Sequence, residues 1–147
     1  MKFKFAFETL LKHLKRVEEE KQRDYHQAKL ELDKILDRIN QMYQSLDQTR
    51  EEIQQLQSGK ETKIEQIRQR EEYIDGLKIK IEADRKIARE LMVVSEEKRQ
   101  VLLEAMKKFK SLERLKEHKC KKHYQAIKKK ELKIMDEMVV TRYKREN

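Results

Sequence analysis

The stretch that decides the fold is residues 28–59, which read AKLELDKILDRINQMYQSLDQTREEIQQLQSG. Apolar side chains recur in it at alternating steps of four and three residues, from Ala28 through Ile39 to Leu56. This is the heptad pattern of a helix that buries one narrow seam against a partner helix. The stretch ends at Gly59, one of only two glycines in the chain.

The same spacing extends in both directions from this stretch. The first seam comprises Phe7, Leu11, Leu14, Glu18, Lys21, Tyr25, Ala28, Leu32, Ile35, Ile39, Met42, Leu46, Thr49, Ile53 and Leu56. The second seam comprises Ile67, Arg70, Ile74, Leu77, Ile81, Asp84, Ala88, Leu91, Ser95, Lys98, Leu102, Ala105, Phe109 and Leu112. Because each seam is one apolar edge of a polar helix, each predicts a long helix that needs a partner.

The break between the seams is predicted at Gln57–Lys60, where Gly59 is expected to take the left-handed conformation that ends many helices. Gly76 lies inside the second seam and predicts a weak point of about 1 kcal/mol relative to alanine. If the chain folds back at Gly59, opposed seam residues such as Ile39 and Ile81 have numbers that add to 119 or 120 throughout. One register therefore satisfies the whole first seam within one chain.

The sequence thus predicts an all-α fold of two long helices in an antiparallel coiled-coil hairpin with a C-terminal overhang. The expected single domain covers residues 1–147, with helix 1 over about 3–57, a turn at about 58–60 and helix 2 over about 61–143. The overhang is expected from about residue 112, because the first arm is shorter than the second. Lys21 and Lys98 face each other in this register and predict a loosened layer. A dimer of long helices is the alternative that heptads alone permit.

The composition excludes most enzymes. Charged residues make up 44% of the chain, the mean hydropathy is -1.07 and proline is absent. Two glycines are too few for a phosphate loop or a set of catalytic loops, so we expect no enzymatic activity and no cofactor. Cys120 and His123 share a helical face, but two ligands surrounded by lysines are too few for a metal site.

Cysteine and hydropathy also bear on where the protein works. A single cysteine, Cys120, cannot form a disulfide within the chain, which favours a reducing cytoplasm. No apolar run approaches the ~20 residues that span a bilayer, so any association with a membrane is expected to be peripheral.

Charge is concentrated at the C-terminal end. Residues 107–147 contain fifteen Lys and Arg against six Asp and Glu, a surplus of nine that equals the net charge of the whole chain. Tyr124, Ile127, Ile134 and Met138 keep helical apolar spacing there, in a different phase from the seams. The pattern predicts an external partner for this end. A frayed, solvated tail and salt-sensitive binding to nucleic-acid phosphates are the alternatives.

The two termini together resemble the flagellar export protein FliJ family. The chain opens with MKFKF over residues 1–5 and FETLL over residues 7–11, and residues 130–137 read KELKIMDE with Arg142 beyond them. The resemblance implies an antiparallel coiled coil similar to the central stalk subunit of rotary ATPases. It also implies that both termini sit inside the hexameric flagellar export ATPase.

The resemblance further implies contacts with the cytoplasmic domain of the export-gate membrane protein and the escort of empty export chaperones. This places the protein in the cytoplasm, peripheral to the membrane through its partners. The residues expected to bind the ATPase ring are Phe3, Phe5, Phe7, Leu10, Lys121, Lys122, Lys128, Lys129, Lys130, Ile134, Asp136, Glu137, Met138 and Arg142. Tyr43 and Tyr73 are the candidates for binding the export gate.

Two classes of function remain open from the sequence. The first is a nonenzymatic stalk of the flagellar type III export apparatus that promotes assembly and activity of the ATPase ring. The second is a generic structural or scaffolding coiled coil. A scaffold needs no segregation of charge, whereas a stalk that enters a ring needs an unpaired basic end.

Overall fold

A computed structural model describes residues 2–61 and 63–146, and over these residues it contains two α-helices and no strand. Helix α1 spans Glu8–Ser58 and has 51 residues, and helix α2 spans Ile64–Glu146 and has 83. The two helices pack against each other as the arms of an antiparallel hairpin. The predicted all-α fold class is therefore confirmed.

The packing divides into two compact units. One comprises Lys21–Leu102, and the other comprises Met1–Glu20 with Leu103–Asn147. In the Lys21–Leu102 unit, one core cluster contains Ile39, Ile81 and Ala88, and Leu32, Ile35 and Met42 pack against it. A second cluster is formed by Leu46, Ile74 and Leu77, with Met42 and Ile53 beside it. These are the partners that the predicted register brings together.

Polar residues of the seams are accommodated in different ways. Asp84 is buried, and both of its carboxylate oxygens accept hydrogen bonds from the Arg38 guanidinium at 2.7 Å. Thr49 is also buried, and its hydroxyl donates to the backbone carbonyl of Ser45 at 2.7 Å. Lys98, predicted to face Lys21 inside the seam, is exposed. A long lysine side chain at a seam position can reach water with its ammonium group, and the exposure of Lys98 fits this arrangement.

The end of α1 differs from the prediction. Gly59 does not adopt a positive φ, so the expected left-handed helix end is wrong. Helix α1 ends at Ser58, whose hydroxyl donates to the backbone carbonyl of Gln55 at 3.1 Å. That hydrogen bond satisfies one of the carbonyls left open at a helix end, which removes the need for a left-handed glycine.

The start of α1 differs as well. The helix was expected from about residue 3 but begins at Glu8, and Lys2–Phe5 have no regular secondary structure. Phe3, Phe5 and Phe7 alternate with other residues, and a period of two does not place them on one face of a helix. Phe7 is 45% exposed, so its assignment to the seam is wrong, and Phe5 is the buried phenylalanine at 8%.

Candidate functional site

The candidate site lies in the unit of Met1–Glu20 and Leu103–Asn147, where the N-terminal segment, residues 2–7, contacts α2. The ring of Phe3 lies 5.6 Å from the ring of His123. The Lys119 ammonium lies 5.6 Å from the centre of the Phe7 ring, within the range of a cation–π interaction. Just beyond, at the start of α1, Glu8 and Lys116 form an ion pair at 2.9 Å. Aromatic and ionic contacts together hold the segment along α2.

The segment ends in a turn that leads into α1. Its Phe5 and Phe7 rings meet edge to face, with centroids 5.8 Å apart. The Glu8 amide donates to the Phe5 carbonyl at 3.2 Å, and the Leu11 amide donates to the Phe7 carbonyl at 2.9 Å. These bonds use amides of the first helical turn, which have no partner inside the helix. Glu8, an acidic residue, occupies the first turn, where the helix dipole favours negative charge.

These contacts correct the predicted limit of the overhang. Residues from about 112 onward were expected to lack a partner in the chain, yet Lys116, Lys119 and His123 contact the N-terminal end. Residues 2–5 are not helical, and non-helical chain can reach up to about twice as far per residue as helix, so the segment can extend along α2 past the start of α1. The unpartnered part of α2 starts beyond these residues.

We define the tail as residues 127–146 of α2. Every residue from Lys128 to Glu146 is exposed, including Ile134 at 55% and Met138 at 65%. The other ring-binding candidates in this exposed stretch are Lys128, Lys129, Lys130, Asp136, Glu137 and Arg142. This stretch of α2 therefore exposes apolar side chains among charged ones.

The remaining ring candidates lie near the N-terminal segment. Lys121 and Lys122 are exposed on α2. Leu10 is exposed and, together with Leu14, Leu112 and Leu115, lines a shallow groove. The structure therefore places Phe3, Phe5, Phe7 and the nearby α2 cations together, while the apolar tail residues lie further along the same helix.

The two gate candidates lie in the Lys21–Leu102 unit. Tyr43 on α1 and Tyr73 on α2 are both exposed. Tyr73 lines a shallow groove with Glu52 and Arg70, which form an ion pair at 2.9 Å. Tyr43 does not line this groove, so the groove is not a site that the two tyrosines share.

Sequence reasoning missed the residues that fasten the N-terminal segment, namely Glu8, Lys116, Lys119 and His123. One signal was present in the sequence. The alternation of Phe3, Phe5 and Phe7 is the period of extended chain, so it argued against extending α1 to residue 3. No comparable signal marked Lys119, because one lysine among many in a basic segment is not distinctive.

The described part of the chain contains neither a cluster of metal-ligand side chains nor a helix able to span a membrane. Over residues 2–61 and 63–146, no three His, Cys, Asp or Glu side chains lie close enough to share a metal ion. Cys120 is a half-buried free thiol. Neither helix, over those same residues, contains a stretch apolar enough to cross a bilayer.

Comparison with known proteins identifies the family. No curated protein and no solved structure matches the chain. The family model described as "Flagellar FliJ protein" matches residues 3–147, which includes both the N-terminal segment and the tail. The match covers nearly the whole chain, so the chain belongs to the FliJ family and is a component of the flagellar export apparatus.

Proposed function

We propose that this protein is the nonenzymatic stalk of the flagellar export ATPase, and that its N-terminal segment and tail enter the hexameric ring. The observation that carries the proposal is the tail, a helix whose apolar residues Ile134 and Met138 are exposed among cations. Phe3 and Phe7 of the N-terminal segment contact His123 and Lys119 of the same helix, shortly before the tail begins.

Charge and apolar contact have separate roles in this proposal. The cations Lys128, Lys129 and Lys130 attract the tail toward an acidic channel over a distance set by screening. At short range, burial of Ile134 and Met138 contributes roughly 25 cal/mol for each Å² of apolar surface removed from water. The electrostatic attraction sets the association rate, and the burial of apolar surface sets how slowly the complex dissociates.

The proposal extends to the other partners of the export apparatus. Tyr43 and Tyr73 are offered as contacts for the cytoplasmic domain of the export-gate membrane protein, since aromatic side chains supply large contact areas at interfaces. Export chaperones are the third class of partner. In this proposal the protein works in the cytoplasm, at the membrane face, and reaches the membrane through its partners.

The alternative is a flagellar scaffold that uses only the coiled coil. Its support is that both core clusters consist of ordinary heptad residues. A scaffold of this kind does not need the tail, so removal of the tail separates the two functions.

The test is a chain that ends after Ala126. This cut retains Lys116, Lys119 and His123, so the N-terminal segment keeps its contacts, which a cut after Leu115 would remove. We expect the shortened chain to unfold at the same temperature as the full chain and to lose stimulation of the export ATPase. Helicity by circular dichroism and the rate of ATP hydrolysis are the measurements.

A matched pair of substitutions keeps the full length. Ile134→Asp with Met138→Asp places charge on the apolar face of the tail and is expected to abolish stimulation. Ile79→Asp changes a residue of α2 that is 73% exposed in the other unit, and it is expected to leave stimulation unchanged. Full stimulation by the shortened chain would show that the tail is not needed for the ATPase and would overturn the proposal that the tail enters the ring.

A further inference from the structure

The burial pattern of α2 marks one face of the helix shortly before the tail. Over residues 113–126, all of which the structure describes, only Lys116, Cys120 and His123 are half-buried, and the others are exposed. These three residues are separated by steps of four and three, so they lie on one face of the helix. We call Lys116, Cys120 and His123 the covered face.

The N-terminal end of the chain lies over this face. The ring of Phe3 lies 5.6 Å from the ring of His123, and the carboxylate of Glu8 lies 2.9 Å from the ammonium of Lys116. Cys120 is a neighbour of both Lys116 and His123 on the helix surface, so it lies between the two contacts. The cover on either side explains why the Cys120 thiol is half-buried.

The covered face continues into the tail. Ile127 follows His123 by four residues, and Ile134 and Met138 follow at further steps of seven and four, with Glu131 between them. Residues at these steps lie on the same side of a helix. Ile127 is half-buried, whereas Ile134 and Met138 are exposed. One side of α2 therefore has a first part under the N-terminal end and a second part that is open to solvent.

The contacts that hold the N-terminal segment on α2 are few and lie close to water. Phe7 and Lys119, which meet in a cation–π contact, are both exposed. The side chains of the ion pair at the start of α1 are each more than a third exposed, and such pairs contribute little to stability. Over residues 2–7, only Phe5 is buried.

The backbone of the segment adds nothing to this attachment. Its backbone hydrogen bonds run from the Phe5 and Phe7 carbonyls to amides at the start of α1, and within the described residues none runs to α2. A segment held by a few side chains opens at a lower free energy than the helices that support it.

We propose that the N-terminal segment opens and closes over the covered face while the hairpin stays folded, and that it competes for this face with the export ATPase. In the closed state, Phe5 is buried and the first part of the face is occupied. In the open state, Phe5 is released, and the covered face joins Ile134 and Met138 in one longer docking surface. The closed segment is thus an autoinhibitory contact.

The two parts of this inference have different foundations. The competition with the ATPase rests on the proposed function. A ring that takes the whole face binds only the open state, so its apparent affinity is lowered by the fraction of chains that are closed. The opening itself is a property of the free protein and is measured without the ATPase.

The first test uses the native thiol of Cys120 as the reporter of opening. When the segment recloses faster than a maleimide reacts, the labelling rate is proportional to the open population. Phe5→Ala removes the buried side chain of the segment and is expected to raise this rate at least about ten-fold with unchanged helicity. The matched control is Lys4→Ala, at the exposed neighbouring position, which is expected to leave the rate unchanged. Equal rates in Phe5→Ala and the native chain would overturn the proposal.

A urea series on the native chain separates local opening from global unfolding. Local opening exposes little surface, so the labelling rate of Cys120 is expected to depend only weakly on urea below the unfolding transition. Gln125→Cys in a Cys120→Ser chain places the thiol at an exposed position off the covered face and gives the rate for full access. A Cys120 rate as fast as this control, or one that follows the loss of helicity in urea, would refute the proposal.

The last test locks the segment closed in the full chain. Phe3→Cys and His123→Cys, with Cys120→Ser, are joined by a short reagent that forms a disulfide with each thiol. The locked chain is expected to bind the export ATPase at least about ten-fold more weakly than the same chain after reduction, which is its matched control. Equal binding of the two forms would overturn the competition for the face. Undiminished binding by the chain that ends after Ala126 would instead contradict the proposed function, and it would leave the Cys120 labelling rates as they are.

Discussion

Asp84 shows how one polar residue is kept inside an apolar seam. The Arg38 guanidinium bonds both of its oxygens at 2.7 Å, although Arg38 itself lies outside the seam. These hydrogen bonds lower the pKa of Asp84 below its ordinary value of 3.8, against a smaller effect of burial in the other direction. The carboxylate therefore stabilises the fold only in its charged form.

The first prediction concerns pH. A lowered pKa in the folded state means that the Asp84 contribution is fully present above pH 3.8 and is lost as pH falls through the lowered value. We expect Asp84→Asn to be less stable than the native chain at neutral pH and to show less loss of stability on acidification. Urea unfolding at several pH values measures this. Identical pH profiles for the two proteins would mean that the ion pair does not affect stability.

The second prediction compares two isoleucines of α2 that are two residues apart. Ile81 is 4% exposed and Ile79 is 73% exposed. Ile81→Ala is expected to lower the free energy of unfolding by about 2–5 kcal/mol, because it leaves a cavity in the core cluster. Ile79→Ala is expected to change it by less than about 0.5 kcal/mol. Similar losses at both positions in urea unfolding would contradict the orientation of α2.

Sequence could predict most of the buried residues but not all of them. Ile39, Ile81 and Leu46 follow from the heptads, because only one face of each helix is apolar. Lys98 occupies a seam position and is nevertheless exposed, since periodicity identifies a position and not the direction of a long side chain. Arg38 could not be singled out, because exposed arginines occur throughout the chain.

Helix α2 contains a glycine away from its ends, which leads to the third prediction. Gly76 has a helical backbone, and a Cβ added there would meet no atom within 4 Å. Gly76→Ala is therefore expected to stabilise the protein by about 0.5–1 kcal/mol, because alanine loses less backbone entropy in a helix. Thermal and urea unfolding measure the gain.

Gly59 provides the matched control for Gly76. It lies between the helices, lacks a positive φ, and an added Cβ would approach the Leu56 carbonyl oxygen no closer than 3.7 Å. Gly59→Ala is expected to be tolerated, with a smaller gain than Gly76→Ala since no helix interior is involved. A loss of stability from Gly76→Ala would point to an unfavourable contact at that position.

The ends of the helices were harder to predict than their existence. Heptads over tens of residues identify α1 and α2, because a long run of periodic positions outweighs any single residue. Helix ends depend on a few local hydrogen bonds, such as the one from the Ser58 hydroxyl to Gln55, and these compete with the intrinsic preference of Gly59.

For the chain as a whole, the excess of positive charge lies at the C-terminal end. Residues 1–106 carry equal numbers of acidic and basic side chains, and the surplus of nine lies in residues 107–147. This segregation could be read from the sequence, since it depends on counting alone. The contacts of the N-terminal end with residues 116–123 could not be predicted from the sequence, because they join distant parts of the chain.

The last prediction separates the position of charge from its amount. Lys128, Lys129 and Lys130 changed to glutamate reverse charge in the tail, and Lys78, Lys80 and Lys86 changed to glutamate make the same reversal elsewhere on exposed parts of α2. Each reversal removes two charges, so three of them lower the net charge from +9 to +3 in both variants.

If the tail enters the ring, we expect only the tail variant to bind the export ATPase more weakly and to lose the salt dependence of binding, measured by surface-immobilised binding over a series of NaCl concentrations. The control variant should keep both properties of the native chain. Steering by net charge alone would weaken both variants equally. That result would leave the tail without a specific role, because a long-range electrostatic field depends little on which lysines produce it. A channel lined by carboxylates, in contrast, interacts more strongly with the helix inside it than with a helix that remains outside.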